Sequence, residues 1–143
     1  MQKAIRLAEI ASSKDEVPVG ALIIKNEKIV GQGYNQKEQL KDPTAHAEII
    51  AITSAASTLN DWRLNDCLMY VTKEPCVMCS GAIINSRIST LIFGAYDDKK
   101  GCCGSLYTLC GDIRLESQTI VRGGIEKEKC SLLLKNYFKK KRK

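Results

Sequence analysis

Two short segments of this 143-residue chain carry metal-binding residue types at the start of predicted helices. The segment TAHAE, residues 44–48, holds the only histidine, His46, two positions before Glu48, and the following IIAITSAA favours a helix. Residues two apart in sequence do not share a face of a helix. His46 and Glu48 can therefore approach one point only if that point lies beyond the N-terminus of the helix.

The second segment is EPCVMC, in which Cys76 and Cys79 are three residues apart. This spacing can present two thiolates to one ion from the first turn of a helix, where free N–H groups and the helix dipole favour negative charge. Pro75 stands where a first helical turn tolerates proline. The C-x-x-C spacing alone is ambiguous, because redox pairs, halves of zinc fingers and buried thiols all show it, and no second pair completes a four-cysteine site.

The remaining pattern predicts a sheet covered by helices on both faces. VPVGALIIK and KIVGQGYN are apolar runs separated by Asn26-Glu27, which is typical of a hairpin. CLMYVT and TLIFGAY favour buried strands and TIVRGG a weaker one, and they alternate with helical segments. Helical spacing also appears near the N-terminus, and again from Cys130 to Phe138, where apolar residues recur at i, i+3, i+4, i+7 and i+8.

The length predicts a single domain, residues 1–138, followed by a basic C-terminal tail, residues 139–143. The tail, KKKRK, supplies five of the six net positive charges of the chain. Such a tail is typical of contact with a polyanion, most often a nucleic acid. A solvated terminus that contributes only solubility and a nuclear localisation signal are the alternatives.

Seven cysteines are many for this length, and their number is odd. The N-terminal residues show no secretory signal, and the longest apolar runs, such as ALII, are too short to span a bilayer. We therefore expect a reducing, cytoplasmic location, in which cysteines bind metal or pack as small apolar side chains. Cys67 and Cys130 are predicted to be core residues.

Taken together, the two segments indicate a catalytic zinc site rather than a structural one. His46, Cys76 and Cys79 would be three protein ligands, which leaves a fourth position for water. Glu48 would not bind zinc but would take a proton from that water and return it to the substrate. A lone histidine is more often structural and a glutamate two residues later is usually surface charge, yet H-x-E followed by P-C-x-x-C is the signature of zinc nucleobase deaminases.

The sequence around both segments resembles bacterial tRNA-specific adenosine deaminases, from about Met1 to Phe138. The segments that carry the resemblance are EVPVGALI (16–23), DPTAHAEI (42–49), LMYVTKEPCVMC (68–79), GAIINSRI (81–88) and FGAYDDKKGCCGS (93–105). The resemblance implies an α/β fold with three α/β/α layers and a central mixed five-stranded sheet, as in cytidine deaminases. It also implies one zinc ion per subunit, a homodimer, and conversion of adenosine to inosine at the wobble position of a tRNA anticodon.

Further site residues follow from the resemblance. By position, Asn35 would hydrogen-bond the flipped base, Val17 would wall the pocket and Asp97 would lie near the flanking nucleotides. The expected substrate is an arginine tRNA with an ACG anticodon. Phe138 or Tyr137 could offer a stacking face beside the basic tail, although Tyr137 also fits core packing.

The chain departs from the pattern of these enzymes in two places. Lys73 stands before EPC where an apolar residue is usual, and could alter contacts at the rim of the pocket. Cys102 and Cys103 occupy a loop where small residues are usual; as free thiols they would be sensitive to oxidation if exposed.

Three alternatives to a tRNA deaminase remain at this point. A small-molecule deaminase acting on guanine, cytosine or a cytidine nucleotide would use the same zinc site, but the basic tail has no obvious purpose there. A non-catalytic RNA-binding subunit would keep zinc for structure and would have no need of Glu48. A zinc-free fold with a redox C-x-x-C pair would contain no metal.

Overall fold

The computed structural model of the protein describes residues 1–142. In chain order, the elements are α1 Gln2–Ser13, β1 Gly20–Lys25, β2 Lys28–Tyr34, α2 Lys37–Leu40, α3 Ala47–Leu59, β3 Leu68–Lys73, α4 Val77–Asn85, β4 Thr90–Ala95, β5 Ile120–Arg122 and α5 Lys127–Lys141. Two short 3₁₀ helices, Leu109–Gly111 and Ile113–Leu115, lie between β4 and β5.

The five strands form one mixed sheet in the order β2-β1-β3-β4-β5. β1 pairs antiparallel with β2 and β3, whereas β3, β4 and β5 are parallel. The predicted hairpin turn at Asn26-Glu27 is confirmed, and both residues have positive φ, 51° and 65°, as the tight turns of two-residue hairpins require. Parallel neighbours need helical crossovers, and α4 supplies the one between β3 and β4.

Helices cover both faces of the sheet, as the sequence predicts. α1 and α5 lie together against one face, and α3 and α4 against the other. The main core is apolar and includes Ile23, Met69, Leu91 and Phe93, each no more than 1% exposed. The expected α/β fold with three layers and a five-stranded mixed sheet is therefore confirmed.

Glycines in β2 let α3 approach the sheet closely. A Cβ at Gly33 would lie 2.8 Å from the carbonyl oxygen of Ala47 and from the side chain of Ile50. A Cβ at Gly31 would be 2.5 Å from the carbonyl oxygen of Ala51. The short distance between α3 and the sheet thus depends on glycine at both positions of β2. The N-terminus of α3 is held beside the end of that strand.

Details of several predicted segments differ from the structure. Pro75 is not in the first turn of α4, because Cys76 is the N-cap and the helix begins at Val77. α5 continues to Lys141, so the first three residues of the expected tail form its last turn, and residue 143 lies outside the described part. The short α2 and the two 3₁₀ helices were not predicted, because four or fewer residues carry no detectable periodicity.

The cysteines are free in the described residues, and six of the seven are buried. Cys67 and Cys130, predicted as core residues, are 0% and 1% exposed. Cys102 and Cys103 are each 3% exposed, so the condition under which they would be sensitive to oxidation is not met. Among residues 1–142, none of the helices has the length and hydropathy needed to cross a bilayer.

Candidate metal centre

His46 is the N-cap of α3 and has an extended backbone, with φ −77° and ψ 152°. The preceding chain turns at Asp42, whose carboxylate accepts hydrogen bonds from the N–H and the hydroxyl of Thr44 at 2.8 and 2.7 Å. This local turn precedes the helix and directs the chain into it. Because an N-cap residue lies outside the helical spiral, the imidazole is free to point beyond the helix end.

Cys76 holds the same position in α4 that His46 holds in α3. It is the N-cap residue with extended backbone, φ −76° and ψ −178°, and Cys79 lies in the first turn of the helix. β3 ends at Lys73, three residues earlier, so the C-terminal end of a buried strand delivers the chain to this point. Two helices therefore begin next to one another with ligand-type side chains at both starts.

The His46, Cys76 and Cys79 side chains converge on one point. The Nδ1 atom of His46 is 3.6 Å from the sulfur of Cys76 and 3.5 Å from that of Cys79, and the three atoms lie within 4.8 Å of one another. A tetrahedral zinc ion with Zn–S of about 2.3 Å and Zn–N of about 2.0–2.1 Å would separate nitrogen from sulfur by about 3.5 Å. The donor set and its spacing thus fit a zinc-sized ion without rearrangement.

The contacts between the two thiols favour the thiolate form of Cys76 even without a metal ion. A hydrogen bond from the thiol of Cys79 lowers the pKa of Cys76 to about 3, and the same contact raises the pKa of Cys79. The hydrogen bond with Cys76 also raises the pKa of His46. Helix N-termini stabilise negative charge at this place. In the absence of metal the chain therefore holds one thiolate, Cys76, beside the neutral thiol of Cys79 and the imidazole of His46.

Glu48 lies in the first turn of α3 and is only 4% exposed. Burial raises the pKa of its carboxyl group, and the carboxyl also contacts the thiol of Cys79. Glu48 therefore stands beside the three converging side chains without being one of them. His46 and Glu48 thus lie at the N-cap and in the first turn of the same helix.

Three of the other residues predicted for the site, Asn35, Val17 and Asp97, lie at the same edge of the sheet. Asn35 directly follows β2 and is 7% exposed, and its side-chain oxygen accepts a 3.4 Å hydrogen bond from the N–H of Lys37. Val17 precedes β1 and packs partly buried against the core. Asp97 follows β4 and forms an ion pair with Lys73 at 3.0 Å.

Lys73 is not simply a free positive charge at the rim, because Asp97 pairs with it. Partial burial opposes ionisation of Asp97, but the hydrogen bond and charge of Lys73 outweigh it and lower the pKa of the carboxyl group.

Phe138 lies on α5, 45% exposed, with its ring 5.3 Å from that of Tyr137. Tyr137 is half-buried rather than in the core, and its hydroxyl donates to the carbonyl of Asp15 at 3.3 Å.

Two buried carboxylates near this edge were missed by sequence reasoning. Glu16 is 1% exposed and accepts hydrogen bonds from the N–H groups of Glu38 and Gln39 at 3.1 and 2.7 Å, which fixes α2 beside Asn35. Glu74 is 2% exposed and bonds the loop after β4. The signal in the sequence was a glutamate next to apolar residues, in EVPVG and in VTKEPC. A glutamate that is buried together with such residues needs hydrogen-bond partners.

Comparison with known proteins identifies the family. The family model described as MafB19-like deaminase matches residues 1–142. A tRNA-specific adenosine deaminase of Bacillus subtilis is 40% identical, with the alignment covering 100% of this chain and 89% of that protein. The chain belongs to the tRNA-specific adenosine deaminase family. The enzyme of that name from Haemophilus influenzae is 42% identical over 99% of this chain and 83% of its own length.

A solved structure extends the family relationship to the three-dimensional fold. It comes from a study of A-to-I editing by tRNA:A34 deaminases at the wobble position of transfer RNA. Its TM-score against this chain is 0.90, with 34% identity, covering 94% of this chain and 97% of that one. The two chains therefore share their overall fold over nearly their whole lengths.

Proposed function

We propose that this chain catalyses the hydrolytic deamination of adenosine to inosine at the wobble position, position 34, of a tRNA anticodon. The observation that carries the proposal is the convergence of His46, Cys76 and Cys79 beside the buried carboxyl group of Glu48. The relatives of this chain are named tRNA-specific adenosine deaminases, and these names support adenosine in tRNA as the substrate class.

We assign His46, Cys76 and Cys79 as the ligands of one zinc ion. Two thiolates and one imidazole suit zinc, and three protein ligands are typical of catalytic rather than structural sites. A zinc ion held there would lower the pKa of a water molecule to about 7 and so supply hydroxide at neutral pH.

Glu48 is assigned as the group that moves protons. Water would add to C6 of adenine, and Glu48 would carry one of its protons to the ring nitrogen. Glu48 would then carry the proton of the new C6 hydroxyl to the amino group, so that the C6–N bond breaks, the C6 carbonyl of inosine forms and ammonia leaves. Burial raises the pKa of Glu48, which brings the carboxyl group closer to the range in which it can both accept and donate a proton. The carboxyl group contacts the thiol of Cys79, which is one of the proposed ligands.

The remaining assignments concern the base and its neighbours. Asn35, held beside β2 and bonded to the N–H of Lys37, would hydrogen-bond the flipped base, and Val17 would form an apolar wall. Asp97 would lie near the flanking nucleotides, and the exposed ring of Phe138 would offer a surface for stacking. A wobble nucleotide is already in a loop, so that the enzyme need not open a duplex to reach it.

The finer features of the proposal are the identity of the tRNA, the assembly and the location. We expect an arginine tRNA with an ACG anticodon as substrate, a homodimer as the active form, and the cytoplasm as the place of action. Support for a nucleic acid partner comes from the net charge of +6, of which five charges belong to the last five residues.

The deciding experiment is deamination of an in vitro transcribed arginine tRNA with an ACG anticodon, read by sequencing as an A-to-G change. Free adenosine, cytidine and guanine are assayed in parallel for release of ammonia. Inosine confined to the wobble position supports the proposal. Ammonia from a free base or nucleoside with the tRNA unchanged would instead establish a small-molecule deaminase with the same zinc chemistry, and bound tRNA without any turnover would indicate a non-catalytic subunit.

A further inference from the structure

Glu74 is the most extensively hydrogen-bonded buried carboxylate near the site, and none of the roles assigned above uses it. One oxygen accepts from the N–H of Asp97 at 3.0 Å and from the hydroxyl of Ser105 at 2.5 Å. The other accepts from the N–H groups of Cys103 at 3.0 Å and Ser105 at 2.9 Å. Its side chain is 2% exposed, so that water does not compete for these bonds.

Each of these four contacts comes from the segment of residues 97–105, which we name the β4 loop. The loop follows the strand end at Ala95 and is bonded to the C-x-x-C segment on two sides. The N–H of Cys102 donates to the carbonyl of Pro75 at 2.9 Å, one residue before Cys76. The sulfur of Cys103 lies 3.2 Å from the hydroxyl of Ser80, one residue after Cys79.

Gly101 allows the β4 loop to close around the carboxylate. A Cβ at this position would lie 2.3–2.5 Å from the carboxyl atoms of Glu74. Such a clash is mild when the neighbour is a flexible side-chain end that can move away. Here the end is held by four donors, and moving it would leave buried N–H groups without an acceptor, which is costly.

We propose that Glu74 is a positioning residue, whose carboxylate holds the β4 loop in place over the C-x-x-C segment and so fixes Asp97 for substrate binding. Because all four partners donate, the position requires an acceptor at both oxygens. Glutamine keeps the shape but turns one acceptor into a donor that faces other donors. The functional part of this inference rests on the proposed function, since Asp97 matters to turnover only if a nucleic acid flanks it.

The first test compares Glu74→Gln with wild type by hydrogen exchange and by tRNA deamination kinetics. We expect the amides of Asp97, Cys103 and Ser105 to exchange about tenfold or more faster, because each loses a charge-assisted bond. Zinc content should stay unchanged, since the carboxylate contacts the loop and no ligand side chain. We expect kcat/KM for the tRNA to fall about 10–100-fold, mainly through KM, because a small misplacement of a substrate-positioning residue can cost up to about 10²-fold.

Gly101→Ala is the second variant and keeps the test decisive if Glu74→Gln does not fold. Its backbone can be adopted by alanine, because φ lies outside the left-handed region, so that its only defect is the clash with Glu74. We expect the same faster exchange and the same rise in KM. The double variant should be no worse than Glu74→Gln alone within about twofold, since both changes remove one interaction.

Matched controls are Glu9→Gln, which changes an exposed glutamate, and Gly81→Ala, whose Cβ would meet nothing within 4 Å. Unchanged exchange of the three amides in both test variants would overturn the positioning role, as would wild-type KM in a variant whose loop exchanges faster. If wild-type protein proves inactive on tRNA, the proposed function fails separately. The exchange data then still decide whether Glu74 holds the loop.

Discussion

Glu48 is distinguished from its neighbours by its chemistry. His46, Cys76 and Cys79 present atoms that meet at one point, whereas Glu48 stands beside them. We predict that Glu48→Gln keeps stoichiometric zinc and tRNA binding but lowers kcat about 10²–10⁴-fold, because it removes a proton carrier and no ligand. Zinc analysis of the purified variant and single-turnover deamination of the tRNA measure the two properties.

The matched comparison for Glu48→Gln is Cys79→Ala, which removes a ligand instead. It should lose zinc and activity together. If Glu48→Gln also lost its zinc, the carboxyl group would have to be reassigned as a ligand. If it kept full turnover, the proton carrier would have to be another group.

The seven cysteines are predicted to differ sharply in reactivity. Cys76 is half-buried and the other six are buried, all within the described residues. In metal-free protein we expect iodoacetamide to modify Cys76 first, and at a rate nearly constant from pH 5 to pH 8. A pKa of about 3 means that its thiolate is fully formed throughout that range, whereas an ordinary thiol would react faster as the pH rises. Peptide mass spectrometry locates the label.

Zinc provides the control for this labelling experiment. Added zinc should protect Cys76, while Cys102 and Cys103 stay unmodified with or without it because each is 3% exposed. Rapid labelling of Cys102 or Cys103 in folded protein would contradict the burial seen here. A tenfold rise in Cys76 labelling per pH unit would contradict the lowered pKa.

At the scale of elements, the two helix starts were predictable and the contacts between distant segments were not. The residues around His46 and Cys76 carry local signals, a turn before one helix and a proline before the other, and local signals survive in a single sequence. Glu16 and Glu74 act on segments 22 or more residues away, on α2 and on the β4 loop. The sequence pattern does not indicate which distant N–H groups will donate hydrogen bonds to a buried carboxylate.

The position of α3 gives an element-scale prediction. Gly33→Ala would place a methyl group 2.8 Å from the carbonyl of Ala47, the residue after His46. We expect a loss of about 1–3 kcal/mol in the free energy of unfolding from overpacking, together with weaker zinc binding because the start of α3 is displaced. Urea unfolding and competition with a chelator measure these effects.

Gly81→Ala is the control for Gly33→Ala, since it adds the same methyl group in open space within α4. It should raise the free energy of unfolding by up to about 1 kcal/mol, because alanine favours a helix over glycine. Equal losses in both variants would show that the packing of β2 against α3 is not what makes Gly33 necessary.

On the scale of the whole molecule, residues proposed for the site lie at one edge of the sheet, and a cluster of positive charges lies at the C-terminal end of α5. Asn35, Cys76 and Asp97 follow β2, β3 and β4, whose ends meet at this edge. The last turn of α5 is attached to the segment between α1 and β1, because Lys141 pairs with Asp15 at 2.5 Å. The positive charge predicted as a tail is thus held on the helix, as far as Lys141, next to this segment.

This arrangement yields a prediction about salt dependence. Lys139 and Lys140 are exposed and take part in none of the ion pairs found within residues 1–142, so replacing both by glutamine leaves the Lys141–Asp15 pair intact. If they contact RNA phosphates, tRNA affinity should fall, and the slope of log K against log salt should become shallower by about 0.7–0.9 for each lost contact. Binding measured between 50 and 200 mM salt tests this.

Lys25 and Lys28 provide the matched control, because they flank the β1–β2 turn at the opposite end of these strands from Gly20 and Tyr34. Replacing this pair by glutamine also removes two positive charges from the molecule. If charge acts only through the overall field, both double variants should weaken tRNA binding equally. A change of slope confined to the α5 pair would place phosphates at the end of α5, and an unchanged slope there would leave these lysines as solvated surface charge.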